Sequence, residues 1–503
     1  MTALPTDASD MLQTLACRDV LKQLTEVHGA DSLVWSIFLR LLEIPRASGN
    51  PTQIIPGIVA MIKRMTGVDA DVKNGNILAV IPATEDCKDR PSVCLQGHWD
   101  IVAVTSSDNK SFDFSTQPIK PLLLEDGKWL TADRTSLGAD NGIGIALGLA
   151  YACEKSHPMI ELLVTADEEI GLVGAGQLPI DWITSKYLLN LDSEEKGIIT
   201  ISGAGGFYYH YDLATQSCVE VVGKDEPVIA FTLRGLTGGH TGADIHRGRM
   251  NAVVTAATAI YANEGARLVK FWGGQAKNSI PREIKVVVAG VTREGMEGFS
   301  SLLRVHSETD PHAEIVFDTV PEGTLQCVSR AATDKFLSFI LDAPTGVLAM
   351  SKQVEGLTET SHCVAIAHLD AAKGVARITA SGRSAIPADL ESLEERMRQL
   401  GQGAGLKLTG PLGKYMPWPP VADSRLLTVS QDAFEELYSM RPVAEGCHGG
   451  LEPGSIMARM PSTHMEAISI GPTICDPHSD SEKVNVAEVG ECGPWISKIV
   501  ANL

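Results

Sequence analysis

Four short apolar runs in this chain each stop at acidic or histidine-bearing residues, and this pattern limits the fold more than any other feature. SVCLQ runs into Gly97-His98-Trp99-Asp100. Ile160 to Thr165 runs into Asp167-Glu168-Glu169. Lys186 to Leu191 runs into Asp192-Ser193-Glu194-Glu195. Met465 to Ile470 runs into GPTICDPHSD, which holds His478. Runs of this length, bounded by turn residues, read as buried strands. Between the first two lies a glycine-rich bend, Thr135 to Gly144, with Asp140 between Gly138 and Gly142. An apolar stretch, Ile143 to Cys153, then reads as a helix. Strand, loop, helix, strand is the order of a parallel α/β sheet. Ligands of such sheets bind beyond the carboxyl ends of the strands. Acids gathered at that edge repel one another unless cations neutralise them, so the pattern points to metal.

Each site taken alone has a plainer reading. Asp140 could cap a helix. His98 and Asp100, two apart and therefore on one face, could be a surface pair or a metal ligand with its supporting acid. The Asp167-Glu168-Glu169 run could be a solvated turn, and Asp476 and Asp480 could place His478 in a surface loop. The shared placement of all of them at strand ends favours metal.

The N-terminal part reads as helices over 8–28, 31–43 and Thr52–Met65. Strands follow near Asp69–Val72 and Asn76–Ile81, and a short hairpin around Glu125–Lys128. After Gly203 the texture changes to an inserted α+β domain. Strands there are expected over Val228–Leu233, Ile284–Ala289, Ile315–Asp318 and Val375–Ala380. Helices are expected over Arg249–Asn263, Ala332–Leu341 and Leu390–Leu400. The chain returns near Gly410, with Pro417 to Pro420 at the joint, then a helix over Ser424–Tyr438 and HGGLEPG leading into a helix ending at Arg459. The implied division is 1–204 and 410–503 for one catalytic domain and 205–409 for the insertion.

A chain of 503 residues exceeds one ordinary domain. A net charge of −20 argues against nucleic acid or an anionic membrane as partner. Residues 1–20 lack the basic start and apolar core of a signal peptide. The ten cysteines include no C-x-x-C pair, so neither a disulfide scaffold nor a cysteine zinc site is expected, and a reducing cytosol is the simplest setting.

The ordered set GHWD, TSLGADNGIG, TADEEIGLVGA, LNLDSEE, GGHTG, HGGLEPG and GPTICDPHS resembles the di-zinc exopeptidases related to carboxypeptidase G and aminoacylase. Within them it is most similar to the aminoacyl-histidine dipeptidases, from about residue 30 to 490. The resemblance implies a catalytic domain with a mixed, mainly parallel sheet and an inserted lid. It implies a metal-dependent dipeptidase acting on unblocked dipeptides, Xaa-His and β-Ala-His among them. Two Zn2+ per subunit are implied, with Co2+ or Mn2+ as substitutes. His98 and Asp192 would hold one ion, Glu169 and His478 the other, and Asp140 both. Glu168 would be the general base, with Asp100 orienting the His98 side. A cis peptide between Asp140 and Asn141 is implied. In the lid, His240 would steady the oxyanion and Arg383 would grip the substrate carboxylate, although spacing alone reads both as surface residues. His362, His448 and Glu452 are further substrate-binding candidates. His362 stands where these dipeptidases tend to carry a polar amide, which bears on substrate preference. The resemblance also allows a homodimer paired through the lid. The main rival is an aminoacylase- or carboxypeptidase-type hydrolase of N-blocked amino acids. A metal-free binding protein is the rival from another class, disfavoured by the intact ligand set.

Overall fold

The structure, a computed structural model, describes residues 9–28, 32–124, 127–296, 303–304, 308–421 and 423–503. The chain forms two compact units. One comprises Met1–Gly203, Trp418–Gly446 and Gly450–Leu503, the other Ala204–Pro417 and Cys447–Gly449.

The first unit is built on an eight-stranded sheet in the order Asp71–Lys73, Asn76–Ile81, Ile160–Thr165, Val93–His98, Tyr187–Asn190, Glu466–Ser469, Ile198–Gly203, Val443–Cys447. The sheet is mixed. Its four central strands are parallel, and these are the four apolar runs of the sequence. Antiparallel strands flank them. Every residue of Val93–His98 and Ile160–Thr165 is buried, as expected for central parallel strands covered on both faces.

The helix Ala139–Tyr151 is buried along its whole length. Gly144 lets it press onto the sheet: a Cβ there would lie 2.3 Å from the Leu191 carbonyl oxygen. The Asp140 helix and the strand leading to Asp192 therefore approach more closely than a side chain would allow. The helix Ser32–Leu42 packs against it with Phe38, Leu39, Leu41 and Leu42 fully buried. Each such side chain contributes about 1.5–3 kcal/mol of burial. The helix begins at Ala139, earlier than the apolar run suggests. Asp140 and Asn141 interrupt it with non-helical backbone, and the peptide between them is cis.

The expected hairpin exists as Pro121–Leu123 paired with Trp129–Ala132; its Glu125–Asp126 apex lies outside the described residues. It joins Lys483–Asn485 and Ile474–Cys475 in a small four-stranded sheet.

The second unit is an antiparallel sheet in the order Glu314–Asp318, Val228–Arg234, Ile284–Ala289, Arg267–Gly273, Thr358–Asp370, Val375–Ser384, Gly205–Asp212, Lys407–Tyr415, with Gly346–Met350 also pairing Thr358–Asp370. Ala252–Tyr261, Arg330–Asp342 and Pro387–Gly403 supply the helices of its apolar core, where Phe231, Phe271, Phe336 and Phe339 are buried. Residues 410–417, expected to belong with the returning C-terminal part, group with this unit, and 410–415 finish the edge strand of its sheet. The GGHTG segment, read as a loop, makes a two-residue ladder, Gly239–His240 against Ser279–Ile280.

No helix among the described residues is long and apolar enough to cross a membrane. The ten cysteines form no disulfide.

Candidate metal centre

Six of the residues singled out in the sequence converge beyond the carboxyl ends of the central strands. His98 ends the strand Val93–His98, and its Nδ1 lies 3.0 Å from the Asp100 carbonyl oxygen. Its Nε2 faces acids, with Asp140 Oδ1 at 3.0 Å, Asp192 Oδ1 at 3.4 Å and Glu168 Oε2 at 4.0 Å. His478 Nε2 lies 3.1 Å from the other oxygen of Asp140, Oδ2, and 2.9 Å from Glu169 Oε2. Asp140 thus faces one histidine with each carboxylate oxygen. Two trios with metal-ligand spacing share it, His98–Asp140–Asp192 and Asp140–Glu169–His478; a third set is His98–Glu168–Glu169.

The electrostatics are those of anions gathered out of water. Burial raises the Asp192 carboxyl to about 6, and it raises Glu168 well above the usual range, helped by Asp192, Glu452 and Glu169. Burial raises Glu169 too. Asp140 goes the other way. Burial would lift it, but hydrogen bonds from His478 and His98 outweigh that and hold it low. His478 is pushed up to about 11 by its bonds to Asp140 and Glu169. Glu169 Oε1 is buried with no hydrogen-bond partner. A desolvated carboxylate oxygen without a donor is costly unless a cation meets it, so the donor set fits divalent metal. Imidazole and carboxylate ligands suit zinc and other first-row ions. His478 has φ +58°, a backbone that costs a residue with a Cβ about 1–2 kcal/mol, at a place where side-chain direction matters.

Asp100 lies against His98, its Oδ1 3.5 Å from His98 Nδ1, and also holds its other neighbours. The hydrogen bond to His98 comes from its main-chain oxygen. Its carboxylate accepts the backbone N–H of Glu168 at 2.9 Å and of Glu169 at 3.3 Å, and the Ser48 hydroxyl at 2.8 Å. It fixes the two glutamates as well as the imidazole.

Glu452 does not line an accessible site. It is fully buried, and its Oε2 accepts from Gln96 Nε2 and from the Thr165 hydroxyl, one residue on each of two central strands. Burial lifts its carboxyl to about 8.

The second unit holds a cluster of the opposite sign. Arg383 Nη1 donates to Tyr415 Oη at 2.7 Å, and its buried Nε has no partner. His448 Nε2 lies 2.7 Å from Ser361 Oγ, and its Nδ1 is buried without a partner. Burial, and then the Arg383 charge, pull His448 down to about 3. His240 Nδ1 accepts the backbone N–H groups of Gly242 and Ala243, both at 3.2 Å, which makes Nε2 the protonated nitrogen. Burial lowers its pKa, and Arg383 adds to that. The unpartnered Nε–H of a half-buried guanidinium suits an anion.

His362 stands apart from this cluster. Ser361 pairs with Arg383 across the sheet, and successive side chains of a strand point to opposite faces. His362 is buried against Pro344 O, and burial drops it to about 4. Its expected role in contacting substrate conflicts with that placement.

Two groups at the metal centre had no signal in the sequence. Arg46 is buried, donating to Trp99 O at 3.1 Å and to Gly138 O. A Cβ on Gly138, whose φ is +74°, would collide with this guanidinium at 2.6 Å. Burial pulls Arg46 down to about 10, while Glu482, Asp100, Asp140 and Glu169 hold it up. Glu482 sits under the Asp140 loop. Neither residue lies in an apolar run or a glycine bend, and only the fold brings them to the site.

The chain is 32% identical over 484 residues to the cytosol non-specific dipeptidase of Escherichia coli strain K12, covering 93% of this chain and 97% of that protein. It belongs to the M20 family of metallopeptidases. The crystal structure of aminoacylhistidine dipeptidase from Vibrio alginolyticus superposes with a TM-score of 0.82 at 31% identity, covering 95% of this chain and 97% of that one. Aminopeptidase PepT from Bacillus cereus shares the fold at 16% identity, with a TM-score of 0.53 over 93% of this chain and 98% of its own. No protein-family model matches the sequence. As a member of the M20 family the chain is a hydrolase, a dipeptidase whose substrate is a small peptide.

Proposed function

We propose that this chain is a di-zinc dipeptidase that cleaves unblocked dipeptides, Xaa-His and β-Ala-His among them. The observation that carries the reading is Asp140, with one carboxylate oxygen toward His98 and the other toward His478. His98 and Asp192 would hold one ion, Glu169 and His478 the other, with Asp140 common to both. Such a pair of ions, when bound, supplies Lewis acidity to the scissile carbonyl and lowers the pKa of water at the site.

The remaining steps belong to side chains. Glu168 Oε2, 4.0 Å from His98 Nε2, takes a proton from the attacking water and returns it to the leaving amine. Burial suits it to that work, because a carboxyl raised well above its usual range is a stronger base. Asp100 holds the Glu168 and Glu169 amides and so aims both carboxylates. His240, with its proton on Nε2, donates to the developing oxyanion. Arg383 takes the substrate carboxylate, with His448 beside it. Preference for Xaa-His rests on the likeness to the Vibrio enzyme, while the Escherichia coli relative is named as non-specific.

The test is hydrolysis of Ala-His, β-Ala-His, Ala-Ala and N-acetyl-Ala by metal-stripped protein, with and without added zinc. Zinc-restored cleavage of the dipeptides, fastest for those ending in histidine, is expected. Zinc-restored cleavage of N-acetyl-Ala alone would replace the dipeptidase reading with the aminoacylase one.

A further inference from the structure

We propose that Glu482 is a positioning residue for the metal centre, clamping the loop that carries Asp140 to the segment that carries His478. The inference rests on the two-metal reading above.

Glu482 is 2% exposed, yet its carboxylate is fully used. Oε2 accepts the backbone N–H of Leu137 and of Gly138, both at 2.8 Å. Oε1 accepts that of Ala139 at 2.7 Å and of Asp140 at 3.3 Å. Consecutive N–H groups wrapped around one anion form a nest. The last of the four belongs to Asp140 itself. Glu482 also lies four residues after His478 and directly precedes the strand Lys483–Asn485. Its main-chain oxygen accepts the Thr131 hydroxyl at 2.6 Å, which ties it to the small sheet. One short segment therefore supplies a candidate ligand, His478, and the clamp on the loop of its neighbour, Asp140. On the other side of that loop Arg46 holds Gly138 O. The backbone around Asp140 is gripped through its N–H groups by an anion and through a carbonyl by a cation.

The chemistry requires a carboxylate. Four donors need two acceptor oxygens, and an amide would offer one oxygen and turn an NH2 against N–H groups. Glu161 provides an internal comparison. It is equally buried and accepts from the Thr184 and Ser185 backbone N–H groups and the Thr184 hydroxyl, but it sits near the amino end of its strand and holds no ligand loop.

The experiment titrates metal-stripped wild type, Glu482→Gln, Glu482→Asp and Glu161→Gln with zinc against a competing chelator, and measures thermal stability of each. Glu482→Gln is expected to weaken zinc binding roughly 10–100-fold, the range for partners that orient ligands. Glu482→Asp keeps the charge but is one methylene short, and is expected to lose less. Glu161→Gln should lower stability and leave zinc affinity at the wild-type value. Excess zinc should restore most of kcat in Glu482→Gln, with KM unchanged. If Glu482→Gln does not fold, amide hydrogen exchange in metal-free wild type decides: slow exchange at 137–140 supports the clamp, and fast exchange overturns it. Wild-type zinc affinity in a folded Glu482→Gln overturns the inference and leaves the two-metal reading standing. A wild type that binds no zinc overturns both.

Discussion

The carboxyl edge of the first unit's sheet and the Arg383–His448–His240 cluster of the second unit solve opposite problems with the same means. Both desolvate ionisable groups. At the sheet edge, burial raises Glu168, Glu169 and Asp192, and a carboxylate oxygen of Glu169 is left without a donor. In the second unit, burial lowers His448 and His240, and Arg383 Nε is left without an acceptor. Acids outnumber bases in the first region, and bases gather in the second. A buried polar atom without a partner is uncommon and marks what a site is built to receive. On the proposed reading, metal ions would satisfy the first region and a peptide carboxylate the second.

That contrast can be broken at several points. The largest effect is expected at the acid edge. Glu168→Gln should keep its metal and lose about 10²–10⁴ in kcat, the range for a general base. Steady-state kinetics with metal analysis check this, and a variant with full turnover would remove Glu168 from proton transfer. Next is His240. Replacing it with alanine should lower kcat by about 10²–10³ with metal content unchanged, as for one oxyanion donor. Arg383→Ala should raise KM for dipeptides by about 10–100-fold, the worth of a charge-assisted hydrogen bond. An unchanged KM would show that the cluster receives something other than the substrate carboxylate.

The smallest effect on activity is expected at His362. Because it points to the other face of its strand, His362→Gln should leave kcat/KM within about twofold for every dipeptide. Its effect should appear in acid stability. The folded-state pKa of about 4 lies below the ordinary histidine value, so the unfolded chain binds the proton more readily. Stability from this group is complete above about pH 6.5 and falls as pH drops toward 4, by up to about 3 kcal/mol. Acid-unfolding curves of wild type and His362→Gln should diverge over that window, with the variant falling less.

Much of the acid edge was legible because its residues end continuous apolar runs. Parallel strands buried on both faces are largely apolar, so the polar cluster that follows each run marks the sheet edge. His98, Asp192 and the Glu168–Glu169 pair follow that logic, His478 lies in the loop after the last run, and the glycine bend marks Asp140. Arg46, Ser48 and Glu482 follow no such rule. Their positions depend on contacts between segments far apart in the chain, and nothing in their neighbours' spacing records those contacts. Asp100 shows a finer limit. Its spacing from His98 suggests a side-chain contact, and Oδ1 does lie 3.5 Å from Nδ1, but the shorter hydrogen bond is accepted by its main-chain oxygen at 3.0 Å. His362 and Glu452 were read without knowing which face of the strand, or which side of the sheet, they would occupy. For a strand residue, a register step of one decides between substrate and core.

Zinc titration of the metal-stripped protein by calorimetry, for wild type and for Asp140→Ala, Asp192→Ala and His478→Ala, tests the shared-ligand arrangement most directly. Two ions per chain are expected in wild type. Asp192→Ala and His478→Ala should each keep one ion, and Asp140→Ala should lose tight binding of both. An Asp140→Ala protein that still binds two ions with wild-type affinity would contradict the arrangement at its centre.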